Sequence, residues 1–183
     1  MQRKIARMNS PQELVEAPLT REELGARYRA LCEDRLYANV PGKIELDAWG
    51  RMVMSPASNY HSALQMRLGQ KLGSLGGQVF VEASVVTPTG VLVADVAWAS
   101  GAFMRRHAFE TPYKQSPELC IEVVSPSNSR KELQEKVDGY LATGALEVWI
   151  VYPQSRRCEH YGREGLLERS AFAVDLAGLF DAP

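Results

Sequence analysis

Short apolar runs typical of β-strands alternate along this chain with segments of helical periodicity, and this alternation limits the possible folds most strongly. Leucines recur at helical spacing over residues 59–75, which predicts one helix. A second helix is predicted from Ser129 to about Thr143, because Glu132 stands at the capping-box position relative to Ser129. Five strands are predicted between and after these helices, over residues 78–86, 91–99, 119–124, 146–151 and 158–161.

The N-terminal part is predicted to add one more helix and a hairpin. Residues 1–19 contain two prolines and no sustained periodicity, so we expect a loose extension followed by one folded domain over residues 20–183. Thr20 and Glu23 have capping-box spacing for a helix whose apolar face carries Leu24, Tyr28, Leu31 and Leu36. Two short alternating runs over residues 42–54 resemble a hairpin. Strands covered by helices predict a mixed α/β (α+β) domain, in which helices flank a mixed sheet.

Composition argues against several classes of protein. The 183 residues include 21 lysines and arginines against 22 aspartates and glutamates, so the net charge of −1 creates no strong field toward a polyanion. The three cysteines have no CxxC spacing, which argues against a disulfide framework and a zinc site. No apolar run approaches the roughly 20 residues of a membrane span, and the basic start lacks an apolar signal region. We therefore expect a cytoplasmic protein.

Two acidic residues stand where apolar side chains are expected. Asp95 interrupts the buried-strand pattern VLVADVAWA, and Glu122 interrupts LCIEVV in the next predicted strand. Burial of an isolated charge is costly, so each carboxylate needs a partner, a proton or a bound cation. An arginine partner or a loop-capping role would satisfy either residue alone. Two such carboxylates on consecutive strands favour a shared cation such as magnesium, which binds one or two carboxylates plus water and phosphate.

A lysine of the following helix is predicted to reach the same place. Lys136 lies at the edge of the core-facing stripe, beside Tyr140. It stands roughly 10 Å along its helix, and Glu122 lies about 7 Å back from the end of its strand, so the two can have similar height. A snorkelling lysine, with a packed stem and a solvated ammonium, is the alternative that the sequence leaves open.

Several short motifs occur in an order and a spacing that are specific when they are taken together. They are IEL with Glu45, VMSPAS, His61, VADVAW with Asp95, IEVVSPSN with Glu122, Lys136 with Tyr140, and GALEVWIVYP. Over residues 19–180 this order resembles the Uma2 (Uma-two) family of restriction-endonuclease-like proteins, within the PD-(D/E)xK nuclease superfamily. Departures from the family pattern at Ala94, at residues 47–50 and at Tyr152 remove no candidate ligand. Val124 stands where the superfamily motif has lysine, so the resemblance implies that Lys136 supplies the ammonium from the helix.

The resemblance implies a restriction-endonuclease-like fold and hydrolysis of DNA phosphodiester bonds with Mg²⁺ or Mn²⁺. Asp95 and Glu122 would hold the metal, and Lys136 would orient the attacking water and stabilise negative charge. Glu45 and the backbone carbonyl of Val123 are further candidate ligands. For Glu45, a solvated strand carboxylate is an equally open interpretation.

Other polar residues receive smaller roles. His61 is expected to cap its helix or to pack against it, with phosphate contact as the alternative, and Tyr140 is a secondary candidate for the site. Ser125 and Ser127 are interpreted as turn and cap residues, because no nucleophile elbow accompanies them. Gly42-Lys43 is not part of a P-loop, since the remaining residues of that motif are absent.

DNA is the expected partner, through contacts to its backbone. Arg105, Arg106 and Lys114, in the connection between the two acid-bearing strands, are the basic residues most available to phosphate. We also expect a homodimer, because symmetric pairs are the commonest soluble assembly. A function of another class stays open: a catalytically inactive member that keeps the fold as a binding or oligomerisation module, which the near-zero net charge favours.

Overall fold

An eight-stranded mixed sheet organises the protein, and helices pack on both of its faces. The structure is a computed structural model that describes residues 17–37, 42–55 and 58–181. None of the helices in these ranges has the length and hydropathy needed to cross a membrane. The elements confirm the predicted mixed α/β fold and are, in chain order, α1 Arg21–Glu33, β1 Lys43–Asp47, β2 Met52–Ser55, α2 Asn59–Leu72, a 3₁₀ turn Gly73–Leu75, β3 Gln78–Thr87, β4 Gly90–Ala99, α3 Gly101–His107, β5 Leu119–Val123, α4 Arg130–Ala142, β6 Glu147–Tyr152, β7 Arg157–Gly162 and β8 Gly165–Leu167.

Strand β5 lies at the centre of the sheet, and α2 and α4 cover its opposite faces. The strand order is β2-β1-β4-β5-β6-β7-β8, and β3 also pairs with β4. The leucines of α2 pack against Ile121 and Val123 of β5. The apolar stripe of α4 packs on the other side against Cys120. Because side chains alternate along a strand, Glu122 shares the α4 face with Cys120.

Local capping signals decide where the helices begin. Thr20 and Ser129 both form complete capping boxes, with Glu23 and Glu132 respectively, as their spacing predicts. Helix α2 is capped by the Ser58 side chain, which accepts a hydrogen bond from the backbone N–H of His61. Of the two roles expected for His61, capping this helix is therefore wrong, because the serine three residues earlier already occupies that role.

Two further predictions need correction or restriction, and one helix is additional to those predicted. Leu36 does not belong to the apolar face of α1. The helix ends at Glu33, three residues earlier, so Leu36 is 82% exposed although its spacing continues the apolar pattern. Residues 1–16 of the predicted loose extension lie outside the described residues. Leu19, the last residue of the predicted extension, is anchored, since its N–H donates to the Ala48 carbonyl oxygen at 2.8 Å. The connection after β4 contains an additional short helix, α3, which carries Arg105 and Arg106.

The pairing of β4 creates a fork in the sheet. Near its start, β4 pairs with β1 through Gly90 and Val91. Near its end, the same edge pairs with β5 through Val96 to Trp98. In the described part of the sheet, residues 92–95 therefore lie between the two ladders. Their backbone groups on this edge need other partners, and polar side chains can supply them.

Gly90 sets the position of β1 beside β4. Its φ of +145° is unfavourable for other residues, and an added Cβ would come 2.0 Å from the Leu46 carbonyl oxygen. We expect Gly90→Ala to lower the free energy of unfolding by more than about 1 kcal/mol, measured by urea denaturation. Gly73→Ala is the matched control, because Gly73 has right-handed helical angles and nothing lies within 4 Å of its added Cβ. Equal denaturation midpoints for the two variants would contradict this account.

Candidate active site

Side chains replace the missing backbone partners at the fork. The Val93 N–H donates to Glu45 Oε1 at 2.8 Å, and the Val93 carbonyl oxygen accepts from Lys43 Nζ at 2.8 Å. Across the fork, the Val123 N–H donates to Asp95 Oδ2 at 2.7 Å. The strands diverge at the fork and leave backbone N–H and C=O groups without partners in the ladders. Acidic and basic side chains inside the apolar strands supply these partners.

Three carboxylates and two ammonium groups form a continuous buried network at this point. Lys43 Nζ lies 2.8 Å from Asp95 Oδ1, 3.4 Å from Glu122 Oε2 and 3.8 Å from Glu45 Oε1. Lys136 Nζ lies 2.8 Å from Glu45 Oε1 and 3.1 Å from Glu122 Oε2. None of the five side chains is more than 13% exposed. Burial is tolerated because each charge has an opposite charge within hydrogen-bonding range.

Both flanking helices contribute side chains to the network. On α2, His61 and Gln65 are one turn apart, and both side-chain nitrogens lie 3.3 Å from Asp95 Oδ1. On α4, the Tyr140 hydroxyl donates to Glu122 Oε1 at 2.8 Å, one turn after Lys136. The i, i+4 spacing places each pair on the same helix face. The two acids are thus fixed by the helices on the two sides of the sheet.

The surroundings shift the pKa values of the two acids in opposite directions. Burial on its own raises the pKa of Asp95, but the hydrogen bond from His61 and the charge of Lys43 outweigh it, and the pKa lies well below its ordinary value. For Glu122, burial raises the pKa above its ordinary value, although the charges of Lys136 and Lys43 oppose that rise. Burial also raises the pKa of Tyr140, and the neighbouring Glu122 adds to the effect, so its phenol stays a hydrogen-bond donor.

A small cavity opens beside the network. Its volume of about 30 Å³ is large enough for a water molecule. The lining includes network side chains, among them Asp95, Glu122 and Lys136. It also includes Val123, and Ser125 and Asn128 from the loop that precedes α4. The cavity therefore lies beside the residues that carry both carboxylates and the Lys136 ammonium.

The donor chemistry of Asp95 and Glu122 fits a hard divalent cation. Oxygens of both carboxylates approach one cationic atom, Lys43 Nζ, so the two acids already converge on a single positive point. The Val123 backbone carbonyl belongs to a residue that lines the same cavity. Among the described residues, however, no three His, Cys, Asp or Glu side chains are arranged to hold a metal ion. Ammonium, imidazole and phenol groups bind the carboxylate oxygens in the structure.

The structure brings the main sequence-predicted site residues together. Asp95, Glu122 and Lys136 meet in the network, and Lys136 reaches inward, so its alternative interpretation as a snorkelling side chain is wrong. Glu45 is 6% exposed, which excludes the solvated interpretation. His61 contacts Asp95, so its side chain faces the network.

Sequence reasoning missed Lys43 and Gln65. Lys43 stands two residues before Glu45 on the same strand, a spacing that places both side chains on one face. Gln65 stands four residues after His61, and this helical spacing indicates that both side chains lie on the same face of α2. The basic residues expected beside the site, Arg105, Arg106 and Lys114, lie outside the described lining of the cavity.

Ser125 and Ser127 lie in the turn between β5 and α4. The Ser125 N–H and hydroxyl both bond to Asn128 Oδ1, and the Ser125 and Ser127 hydroxyl oxygens lie 2.9 Å apart. The helix cap itself is Ser129. The turn interpretation is therefore confirmed for both serines, and the capping interpretation is wrong.

Comparison with known proteins gives a matching family model and a similar solved structure. The chain is similar to a crystallised protein from Anabaena variabilis ATCC 29413 described as a "putative nuclease belonging to DUF820", with 18% sequence identity and a TM-score of 0.57. That likeness covers 72% of this chain and 78% of the other, and it shows a shared fold. None of the curated proteins compared with the chain matches it. The model of the Uma2 family, described as "Putative restriction endonuclease", matches residues 26–178, which is most of the chain, so this protein belongs to the Uma2 family.

Proposed function

We propose that this protein is a nuclease that hydrolyses DNA phosphodiester bonds with a divalent cation, Mg²⁺ or Mn²⁺, held by Asp95 and Glu122. The observation that carries the proposal is the convergence of these two buried carboxylates on one cationic point beside a cavity. Membership of a family described as restriction endonucleases supports a nuclease-like activity, and so does the fold shared with a protein described as a nuclease.

The chain's own residues would divide the chemical work as follows. Asp95 and Glu122 would hold the cation, with the Val123 carbonyl as a further ligand, and Glu45 would orient the Lys136 ammonium through their 2.8 Å contact. Lys136 positions the attacking water and stabilises negative charge that develops on the phosphate. When bound, a divalent cation would polarise a phosphoryl oxygen and lower the pKa of a coordinated water. Tyr140 and His61 keep the two carboxylates in place.

Removal and return of metal test this proposal. We expect the purified protein to nick or cut supercoiled plasmid DNA when Mg²⁺ or Mn²⁺ is present, and to lose that activity after dialysis against EDTA. Added Mg²⁺ should restore the activity, because the lysine contacts to the acids are expected to preserve the fold when the cation is removed. Gel electrophoresis of the plasmid forms gives the measurement. Cleavage that persists in EDTA would contradict the proposal.

A second candidate function is a non-catalytic module that keeps this fold for binding or oligomerisation. It is favoured by the ammonium groups, which already neutralise the acids that a metal would need. Isothermal titration calorimetry that detects no binding of Mg²⁺ or Mn²⁺ would support this candidate over the nuclease. The expected homodimer and the DNA-backbone contacts of Arg105, Arg106 and Lys114 stay predictions under either function.

A further inference from the structure

The ammonium of Lys43 occupies the position at which the two proposed metal ligands meet. It lies 2.8 Å from Asp95 Oδ1 and 3.4 Å from Glu122 Oε2, and it donates to the Val93 carbonyl oxygen at 2.8 Å. The Lys43 side chain is only 11% exposed, so this is a buried contact and not a surface ion pair. Neither the sequence motifs nor the family description assigns a role to this lysine.

The two lysines of the network have different partners. Lys136 contacts Glu45 and Glu122, whereas Lys43 contacts Asp95 most closely. Lys43 is thus the ammonium that contacts Asp95 in the structure. Without it, the buried carboxylates would outnumber the remaining ammonium by three to one, an arrangement that burial makes unfavourable.

A divalent cation and the Lys43 ammonium cannot occupy this position together. Magnesium binds carboxylate oxygens at about 2.0–2.1 Å, so an ion held by Asp95 and Glu122 would compete with Lys43 Nζ for the oxygens that this ammonium contacts. A divalent cation and an ammonium that contact the same carboxylate oxygens would also repel each other strongly. Glu82, an exposed carboxylate that lines the same cavity as Lys43, offers a nearby place for a displaced ammonium.

We propose that Lys43 is a built-in competitor for the divalent cation: its ammonium holds Asp95 and Glu122 together in the metal-free protein and leaves when the cation binds. The inference rests on the proposed metal site. It explains how two acids can stay buried and charged before the metal arrives. It also means that Lys43 reduces the affinity of the site for metal.

Chemical labelling of lysines tests the displacement in the wild-type protein. The full-length chain is treated with an amine-reactive N-hydroxysuccinimide ester, with and without saturating Mn²⁺ and without DNA, and modification is quantified by mass spectrometry. We expect the modification rate of Lys43 to rise severalfold with Mn²⁺. Lys136 should change less, and Lys131, which is 86% exposed, should react equally in both conditions. An unchanged rate at Lys43 under saturating Mn²⁺ would overturn the inference.

Metal affinity gives a second, independent readout. By calorimetry with Mn²⁺, we expect Lys43→Met to bind the metal about tenfold more tightly than the wild type, or more, and Lys136→Met to show a smaller gain. If Lys43→Met does not fold without metal, Lys43→Gln replaces it in the same titration. Equal affinity in the wild type and the Lys43 variant, or no binding by either, would overturn the inference.

These experiments separate the inference from the proposed function because neither uses DNA. Metal-dependent exposure of Lys43 in a protein that never cleaves DNA would support the competition and refute the nuclease. Metal-dependent cleavage without any change in the labelling of Lys43 would support the nuclease and refute the competition.

Discussion

Replacement of Asp95 by asparagine is expected to lower the rate of DNA cleavage by about a thousandfold or more, because the metal loses a charged ligand worth several kcal/mol in the transition state. The substitution keeps the size and shape of the side chain, so the loss would report on charge and not on packing. The rate is measured as nicking of supercoiled plasmid under saturating Mg²⁺. Cleavage by Asp95→Asn at the wild-type rate would show that Asp95 does not serve the reaction.

The same variant is expected to be less stable, because the described groups that contact this carboxylate are hydrogen-bond donors. Lys43, His61 and Gln65 approach Oδ1, and the Val123 N–H donates to Oδ2 at 2.7 Å. An amide has one oxygen and one NH₂ group, so either orientation sets a donor against a donor. We expect the free energy of unfolding to fall by about 1–3 kcal/mol while the cooperative transition remains.

Asp138→Asn is the matched control for this experiment. It makes the same chemical change on the exposed face of α4, where Asp138 accepts a hydrogen bond from the Gln134 side chain at 2.8 Å. An asparagine there keeps an oxygen for that bond. We expect both its cleavage rate and its thermal unfolding to match the wild type, so a loss confined to Asp95→Asn would be specific to the site.

Local spacing made the elements around the site predictable. The capping boxes at Thr20 and Ser129 need only a partner three residues away, and both formed as predicted. The acids Asp95 and Glu122 could be singled out because a charge inside an apolar run requires compensation wherever the strand lies. Lys136 followed from its place on the helix stripe.

The fork was beyond sequence reasoning because it depends on which strands pair and in which register. Glu45 meets Val93 only because Asp47 pairs with Gly90, a contact between distant parts of the chain. The role of Lys43 depends on the same register: its spacing from Glu45 indicates a shared strand face, but the spacing alone does not show that this face meets Asp95. Leu36 shows the opposite failure, since its apolar spacing continued past the residue at which the helix ends.

Replacement of Lys136 by methionine is expected to reduce the rate of cleavage by about a hundredfold to a thousandfold, the usual cost of losing one charged donor in a transition state. Methionine keeps the unbranched stem and removes the ammonium that contacts Glu45 at 2.8 Å and Glu122 at 3.1 Å. Lys43 remains 3.4 Å from Glu122, so the buried acids keep one positive neighbour. We therefore expect a loss of stability of up to about 3 kcal/mol, less than for a pair left with no partner.

A lower fraction of folded protein would imitate a slower reaction, so the Lys136→Met assay needs a temperature well below its unfolding transition, as determined by circular dichroism. Lys131→Met is the matched control, because Lys131 lies on the same helix with a side chain that is 86% exposed. If Lys136 acts in the chemical step, the rate at saturating DNA and Mg²⁺ should fall in Lys136→Met and stay unchanged in Lys131→Met. A wild-type rate in Lys136→Met at that temperature would show that Lys136 has a structural role alone, because a folded chain that lacks the ammonium would then still catalyse the reaction.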